Sequence, residues 1–105
     1  MIDARRIAMI KPGSAIINTA RGELIDQEAM IAALQSGHLA GAGLDVYPDE
    51  PNVDPRLLKI PNVMTLPHIG SATAEGREAS GEKVIANIRF WMDGHRPPDQ
   101  VLIGL

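Results

Sequence analysis

The chain has 105 residues, of which 45% are hydrophobic and 22% are charged, ordinary values for one small globular domain. Its net charge of -3 provides no basic field for nucleic acid, and the absence of cysteine excludes disulfides, thiolate catalysis and cysteine-bound zinc. No apolar run approaches the roughly 20 residues that span a bilayer. We therefore expect neither a nucleic-acid nor a membrane partner, and a cytoplasmic location.

Helices and short strands alternate along the predicted chain. In order, we expect a helix over residues 1–10, a strand over 14–19, a helix over 27–36, a strand over 40–47, a helical piece near 56–58, a strand over 62–66 and a helix to about residue 93. Asp26 is a good N-cap, and Gly37 fits the left-handed position after its helix. Either Ser71 or Thr73 can cap the last helix. Its predicted buried face consists of Ile85, Ile88 and Trp91 or Met92.

Connections between the strands indicate the topology. The first two strands are joined through a helix, which predicts parallel pairing and a right-handed crossover, and we expect the third strand to be parallel as well. The first strand lacks polar alternation, which favours burial on both of its faces. The fold class is therefore α/β, half of a doubly wound domain with about three parallel strands and flanking helices.

Polar residues follow each strand, where ligands bind in open parallel sheets. Arg21 follows the first strand, Asp45, Asp49 and Glu50 follow the second, and His68 follows the third. An arginine can hold a carboxylate, a histidine can transfer a proton, and a carboxylate can fix the histidine tautomer. This set suits reduction of a 2-oxo acid by a cofactor that brings the hydride. Asp49 and Glu50 compete for the histidine, and the spacing to the following proline favours Glu50.

Each of these residues also has a simpler interpretation. Arg21 alone could be a surface arginine, Asp45 could cap a loop, and a lone His68 would more often be structural. A metal site from His68, Asp45 and Glu50 is possible by residue type, but no compact ligand spacing supports it, so no metal is predicted. His38 lies beside a helix-ending glycine and is interpreted as solvated.

Three long segments resemble a known family. Residues 17–26 (INTARGELID), 41–51 (GAGLDVYPDEP) and 66–73 (LPHIGSAT) strongly resemble signature segments of NAD(P)-dependent D-2-hydroxyacid dehydrogenases, which include glyoxylate/hydroxypyruvate reductases and phosphoglycerate dehydrogenases. The match covers essentially the whole chain, in order and with similar spacing. Several long motifs in register are a more specific signal than one short motif.

The resemblance implies roles for individual residues. Arg21 would bind the substrate carboxylate and carbonyl, His68 would be the acid/base, and Glu50 would be its partner. Residues implied at the nicotinamide end of NAD or NADP are Thr19, Ala20, Arg21, Asp45, His68, Gly70 and Ser71, with Asn18 as a weaker candidate. The substrate would be a small 2-oxo or 2-hydroxy acid.

Two family features do not appear in the sequence. The dinucleotide fingerprint G-x-G-x-x-G is missing, since Gly41-Ala42-Gly43 continues into a strand without a third glycine, and no separate substrate domain is visible. We therefore interpret residues 1–105 as the C-terminal part of an NAD(P)-binding Rossmann domain. Such a chain would be a truncated gene product, a proteolytic piece, a deliberately made half-domain or one subunit of a split protein.

The sequence leaves two alternative functions for this chain. The first is a part of an oxidoreductase, inactive and weak in cofactor affinity when isolated, because the glycine-rich phosphate site is missing. The alternative is a non-catalytic half-domain that self-associates as a homodimer through an open sheet edge. A receiver-type or flavodoxin-like protein is disfavoured, because Arg21 stands where a phosphate loop or an acidic cluster would be needed. The particular 2-hydroxy acid and the choice between NAD and NADP stay open.

Overall fold

The computed structural model describes residues 1–102. The chain divides into two compact units, Met1–Gly70 and the residues from Ser71 onward. Within the described residues, no helix has both the length and the apolar character needed to cross a bilayer.

The first unit contains three helices, three strands and one 3-10 turn. In chain order these are α1 (Ala4–Met9), β1 (Ser14–Asn18), the 3-10 turn (Gly22–Leu24), α2 (Gln27–Gln35), β2 (Leu39–Leu44), α3 (Pro55–Lys59) and β3 (Val63–Thr65). The second unit contains α4 (Ala74–Met92). Every predicted element is present, and most are one to three residues shorter at their ends than the sequence pattern indicated.

The three strands form one parallel sheet in the order β1-β2-β3. Ala42 of β2 lies opposite Ile16 on one side and Val63 on the other. The predicted parallel pairing of β3 is confirmed together with the α/β, Rossmann-like fold class. All three strands therefore end at the same edge of the sheet.

The helix boundaries follow local capping rules. The Asp26 side chain accepts a hydrogen bond from Ala29 N, and Gly37 follows α2 with a φ of 79°, a conformation that glycine adopts without strain. At the start of α4, the Thr73 hydroxyl accepts a hydrogen bond from Gly76 N at 3.0 Å. Thr73 rather than Ser71 is therefore the cap.

The core of the first unit lies on one face of the sheet. Helix α1 packs on α2, and α2 packs on β2. The larger buried side chains are Ile7, Ile25, Met30, Ile31, Leu34, Leu39, Leu44, Tyr47 and Leu57. The core is aliphatic apart from Tyr47, as a chain with three aromatic residues requires.

The opposite face of the sheet is exposed, so the prediction that β1 is buried on both faces is wrong. Burial alternates along the strand, and Ile17 is 68% exposed. The physical reason is that α1 and α2 cover only the other face. Met64 of β3 is exposed in the same way. We call Ala15, Ile17, Gly43 and Met64, together with the space between them, the open sheet face.

The predicted buried face of α4 is also wrong. No residue of α4 is buried, and Ile85, Ile88 and Met92 are exposed, as is Trp91 at 71%. Within the described residues, the second unit consists of residues 71–73, this helix and the short tail to residue 102. It offers no second apolar element on which the helix could pack.

Substitution of two adjacent leucines of α3 tests where the core lies. Leu57 of α3 is fully buried, whereas Leu58 is 62% exposed. We expect Leu57→Ala to lower the free energy of unfolding by about 2–5 kcal/mol, because it leaves a cavity. The matched control Leu58→Ala should change it by less than about 0.5 kcal/mol. Urea unfolding followed by circular dichroism measures both, and equal losses would contradict this description of the core.

Candidate active site

Two backbone hydrogen bonds tie the carboxyl ends of the three strands together. Asp45 N donates to Asn18 O at 3.0 Å, and Leu66 N donates to Leu44 O at 2.8 Å. The segments that follow β1, β2 and β3 therefore begin side by side. These segments carry the candidate residues that the sequence analysis identified in the first unit.

Asn18 organises the segment after β1. Its side chain is buried, its Nδ2 donates to Arg21 O at 2.9 Å, and its Oδ1 accepts from Ala20 N at 3.1 Å. Both ends of the amide are thus used inside the loop. The family resemblance implies for Asn18 only a weaker contact with the cofactor. An asparagine at a strand end, which readily forms such local turns, was the signal for this structural role.

The Arg21 side chain is exposed at the same edge. Its Nη1 donates to Ala20 O at 2.6 Å, and none of the ion pairs among residues 1–102 includes it. Its positive charge nevertheless helps to lower the pKa of the Glu50 carboxyl. Arg21 is therefore close enough to act electrostatically at the end of β2, while its guanidinium remains available to an anion.

Glu50 bridges two strand ends. Its Oε1 accepts from Tyr47 N at 3.1 Å, and its Oε2 lies 2.7 Å from His68 Nδ1. The pKa of Glu50 lies below its ordinary value because of the His68 hydrogen bond, then the Tyr47 N–H, with Arg21 adding a smaller effect. Asp49, the other candidate partner, instead accepts from Asn52 Nδ2 at 3.2 Å. The structure thus brings Glu50, not Asp49, to His68.

His68 presents one ring nitrogen for chemistry. An ionised Glu50 can only accept, so Nδ1 carries the proton in this pair and Nε2 is the nitrogen left for proton exchange. The residue has a φ of 56°, in the left-handed region that few non-glycine residues adopt. This backbone conformation costs roughly 1–2 kcal/mol, so the surroundings of His68 must hold it.

Asp45 is the buried acid of the site. It is 3% exposed, its Oδ1 accepts from Ile69 N at 2.8 Å and its Oδ2 accepts from Gly70 N at 2.7 Å. Both oxygens therefore contact the backbone that directly follows His68. Among the simpler interpretations of the sequence, loop capping describes these contacts.

The remaining predicted residues differ in their surroundings. Thr19, Ala20 and Gly70 are exposed beyond β1 and β3, where a flat ligand could reach their backbone. Ser71 belongs to the second unit. His38 is not fully solvated as expected, because it is half-buried and its Nε2 lies 3.1 Å from Ile7 O.

A pocket of about 260 Å³ lies beside the Glu50–His68 pair. Its lining residues are Tyr47, Glu50, Pro51, Val53, Thr65, Leu66, Pro67 and His68. Among the described residues, no three histidine or acidic side chains form a group that could hold a metal ion. The charged and titratable side chains at this edge are an arginine, a histidine and carboxylates.

The fit to a dinucleotide is good at one end only. Exposed backbone at Thr19, Ala20 and Gly70, with His68 nearby, suits a planar nicotinamide ring. The N-terminus of α2 does not suit a pyrophosphate, because the Asp26 carboxylate already caps it and Glu28 lies in its first turn. The described residues thus fit the nicotinamide end of the cofactor and offer no glycine-rich cradle for its phosphates.

Comparison with known proteins identifies the class. Residues 1–70 match the family model described as D-isomer specific 2-hydroxyacid dehydrogenase, NAD binding domain. The chain belongs to this family, and the family prediction and the NAD or NADP prediction are thereby confirmed.

Individual relatives of the chain include glyoxylate reductases and D-3-phosphoglycerate dehydrogenases. It is 45% identical to a glyoxylate reductase from Thermococcus litoralis over 101 residues, which are 96% of this chain and 30% of the relative. It is 39% identical to a D-3-phosphoglycerate dehydrogenase from Mycobacterium tuberculosis over 104 residues, which are 99% of this chain and 20% of the relative. The chain therefore spans less than a third of the length of these relatives.

Solved structures agree with this placement. A D-isomer specific 2-hydroxyacid dehydrogenase from Xanthobacter autotrophicus Py2, in complex with NADPH and MES, superimposes with a TM-score of 0.82 at 38% identity, covering 94% of this chain and 40% of that one. An NADPH-dependent glyoxylate/hydroxypyruvate reductase from Sinorhizobium meliloti gives 0.77 at 42% identity, covering 87% and 29%.

Substitution of Gly22, the residue after Arg21, tests its close packing against the backbone of Tyr47. A Cβ at this position would lie 2.1 Å from the Tyr47 carbonyl carbon, so only glycine fits. We expect Gly22→Ala to reduce the free energy of unfolding by roughly 3 kcal/mol or more.

Gly81→Ala is the control, because its Cβ meets nothing within 4 Å in the interior of α4. It should instead stabilise α4 by about 0.5–1 kcal/mol. Urea unfolding of the first unit measures the effect of Gly22→Ala, and the helicity of α4 measures the effect of Gly81→Ala.

The Glu50–His68 bond predicts a pH dependence of stability. Because the folded pKa of Glu50 lies below its ordinary value of 4.5, its stabilising contribution is present above pH 4.5 and is lost as the pH falls through the folded pKa. We expect the stability difference between the wild type and Glu50→Gln to shrink on acidification. In a His68→Gln background this pH dependence should be smaller. An unchanged dependence in that background would contradict His68 as the principal cause.

Proposed function

We propose that this chain provides the substrate-polarising and proton-transferring side of the active site of a D-2-hydroxyacid dehydrogenase. The observation that supports it is the 2.7 Å contact between His68 Nδ1 and the Glu50 carboxylate. The Arg21 guanidinium, which forms no ion pair among residues 1–102, lies at the same strand edge. Family membership supplies the reaction class, interconversion of a 2-oxo acid and a D-2-hydroxy acid.

Each of the three side chains has a defined task in this proposal. Arg21 binds the substrate carboxylate and polarises the adjacent carbonyl through its N–H donors. His68 Nε2 donates a proton to the carbonyl oxygen as the alcohol forms, and takes it back in the reverse direction. Glu50 accepts the hydrogen bond from Nδ1, which fixes the orientation of the ring and leaves Nε2 facing the substrate.

NAD(P)H, when bound, supplies the hydride that adds to the carbonyl carbon. We propose that Thr19, Ala20, Arg21, Asp45, His68, Gly70 and Ser71 line its nicotinamide end. The phosphate end is bound outside the described residues, so the isolated chain should bind the cofactor weakly and turn over no substrate.

A second candidate is a non-catalytic half-domain that forms a homodimer. The observation that favours it is the open sheet face, where Ile17 and Met64 are exposed beside small residues. Exposed apolar patches of this kind mark sites of association. Sedimentation of the isolated chain distinguishes a monomer from a dimer that hides this face.

The decisive experiment restores the rest of an active site. The 101 matched residues of this chain would replace the corresponding segment of the Thermococcus litoralis glyoxylate reductase. Oxidation of NADH and NADPH would be followed with glyoxylate, hydroxypyruvate and pyruvate. We expect turnover by the chimera and none by the isolated chain. His68→Ala should lower kcat by about 10²- to 10⁴-fold, and Arg21→Ala should lower kcat/KM strongly.

Matched controls keep these losses interpretable. Arg5→Ala and His95→Ala remove the same residue types from exposed positions outside the strand-end segments, and both should retain turnover. A folded chimera in which Arg21→Ala and His68→Ala both retain full activity would refute the proposed function. Turnover by the isolated chain would instead refute the expected dependence on other segments.

A further inference from the structure

The backbone on both sides of His68 is anchored from the segment that follows β2. Before the histidine, Leu66 O lies 2.8 Å from the Tyr47 hydroxyl. After it, Ile69 N and Gly70 N both donate to Asp45. These contacts join residues that are 19 to 25 positions apart, and they surround a residue in the left-handed conformation.

The Asp45 carboxylate lies close to the backbone at Gly70. A Cβ on residue 70 would lie 2.9 Å from Asp45 Oδ2, so the absence of a side chain at Gly70 allows the carboxylate to reach the backbone. Asp45 is 3% exposed, and its two oxygens accept from two successive N–H groups. An anion placed in this way fixes the direction of the chain as it leaves His68.

We propose that Asp45 is a positioning residue, whose carboxylate holds the turn after His68 so that Nδ1 meets Glu50. In this role it acts through the backbone that directly follows His68. The catalytic meaning of this role rests on the proposed function, whereas the geometry can be tested without any substrate.

The test uses Asp45→Asn in the 105-residue chain, followed by NMR. The amide would turn an NH2 group toward one backbone N–H, so one of the two hydrogen bonds is lost. We expect amide exchange at Ile69 and Gly70 to accelerate at least tenfold, and the pKa of Glu50 to rise as its bond to His68 loosens. Core amides such as that of Leu44 should keep their exchange rates.

The sign of the Glu50 response separates positioning from simple electrostatics. Removing a nearby negative charge would by itself lower the pKa of a carboxyl, whereas loss of the His68 bond raises it. Asp49→Asn is the matched control, because it removes the same charge from the residue beside Glu50, where the carboxylate contacts Asn52. It should leave the His68–Glu50 bond and the exchange at Ile69 unchanged.

A second variant covers the case in which Asp45→Asn does not fold. Gly70→Ala keeps the charge and pushes a methyl group against Oδ2, and it should shift the same signals in the same direction. Unchanged Glu50 titration and Ile69 exchange in the folded variants would overturn the proposal. So would an intact His68–Glu50 bond in the Asp45→Asn chimera. An inactive wild-type chimera would refute the proposed function and leave these measurements unaffected.

Discussion

The hydrogen bonds that join the three strand ends are the interaction on which the rest of the site depends. Asn18 O and Leu44 O accept from the first residues beyond the neighbouring strands, so the following segments leave the sheet together. Arg21, Glu50 and His68 come from three separate parts of the chain. Without parallel strands in register they would have no common edge, and an arginine, a carboxylate and a histidine would remain unrelated surface residues.

The small residues of β2 make this register possible. A Cβ on Gly41 would lie 2.8 Å from Asn62 O, and one on Gly43 would lie 2.9 Å from the Ile17 side chain. The glycines therefore serve close packing within the sheet. Their spacing looks like the beginning of a phosphate-binding loop, but the strand pairing of Ala42 with Ile16 and Val63 shows that this segment is the centre of the sheet.

The segment after β2 holds the histidine on several sides. Glu50 contacts the ring, the Tyr47 hydroxyl contacts Leu66 O, and Asp45 contacts the backbone at Ile69 and Gly70. A histidine that exchanges protons has to keep its tautomer and direction through the reaction. His68 is exposed and lies in the left-handed region, so its orientation depends on these contacts from the segment after β2, in which Asp45 and Tyr47 are buried.

The sequence by itself determined the elements, their caps and the parallel order, because capping and strand crossover obey rules that act over a few residues or one connection. Asp26 and Gly37 illustrate this, and the family segments also indicated Arg21, Glu50 and His68. Only the tertiary structure decided that Asp45 binds the backbone after His68 and that His38 reaches α1. It also decided that one sheet face is exposed and that no residue of α4 is buried. The physical reason is that these outcomes depend on partners 24 to 31 residues away, or on which surfaces are covered, and an amino-acid pattern shows apolar character without showing what packs against it.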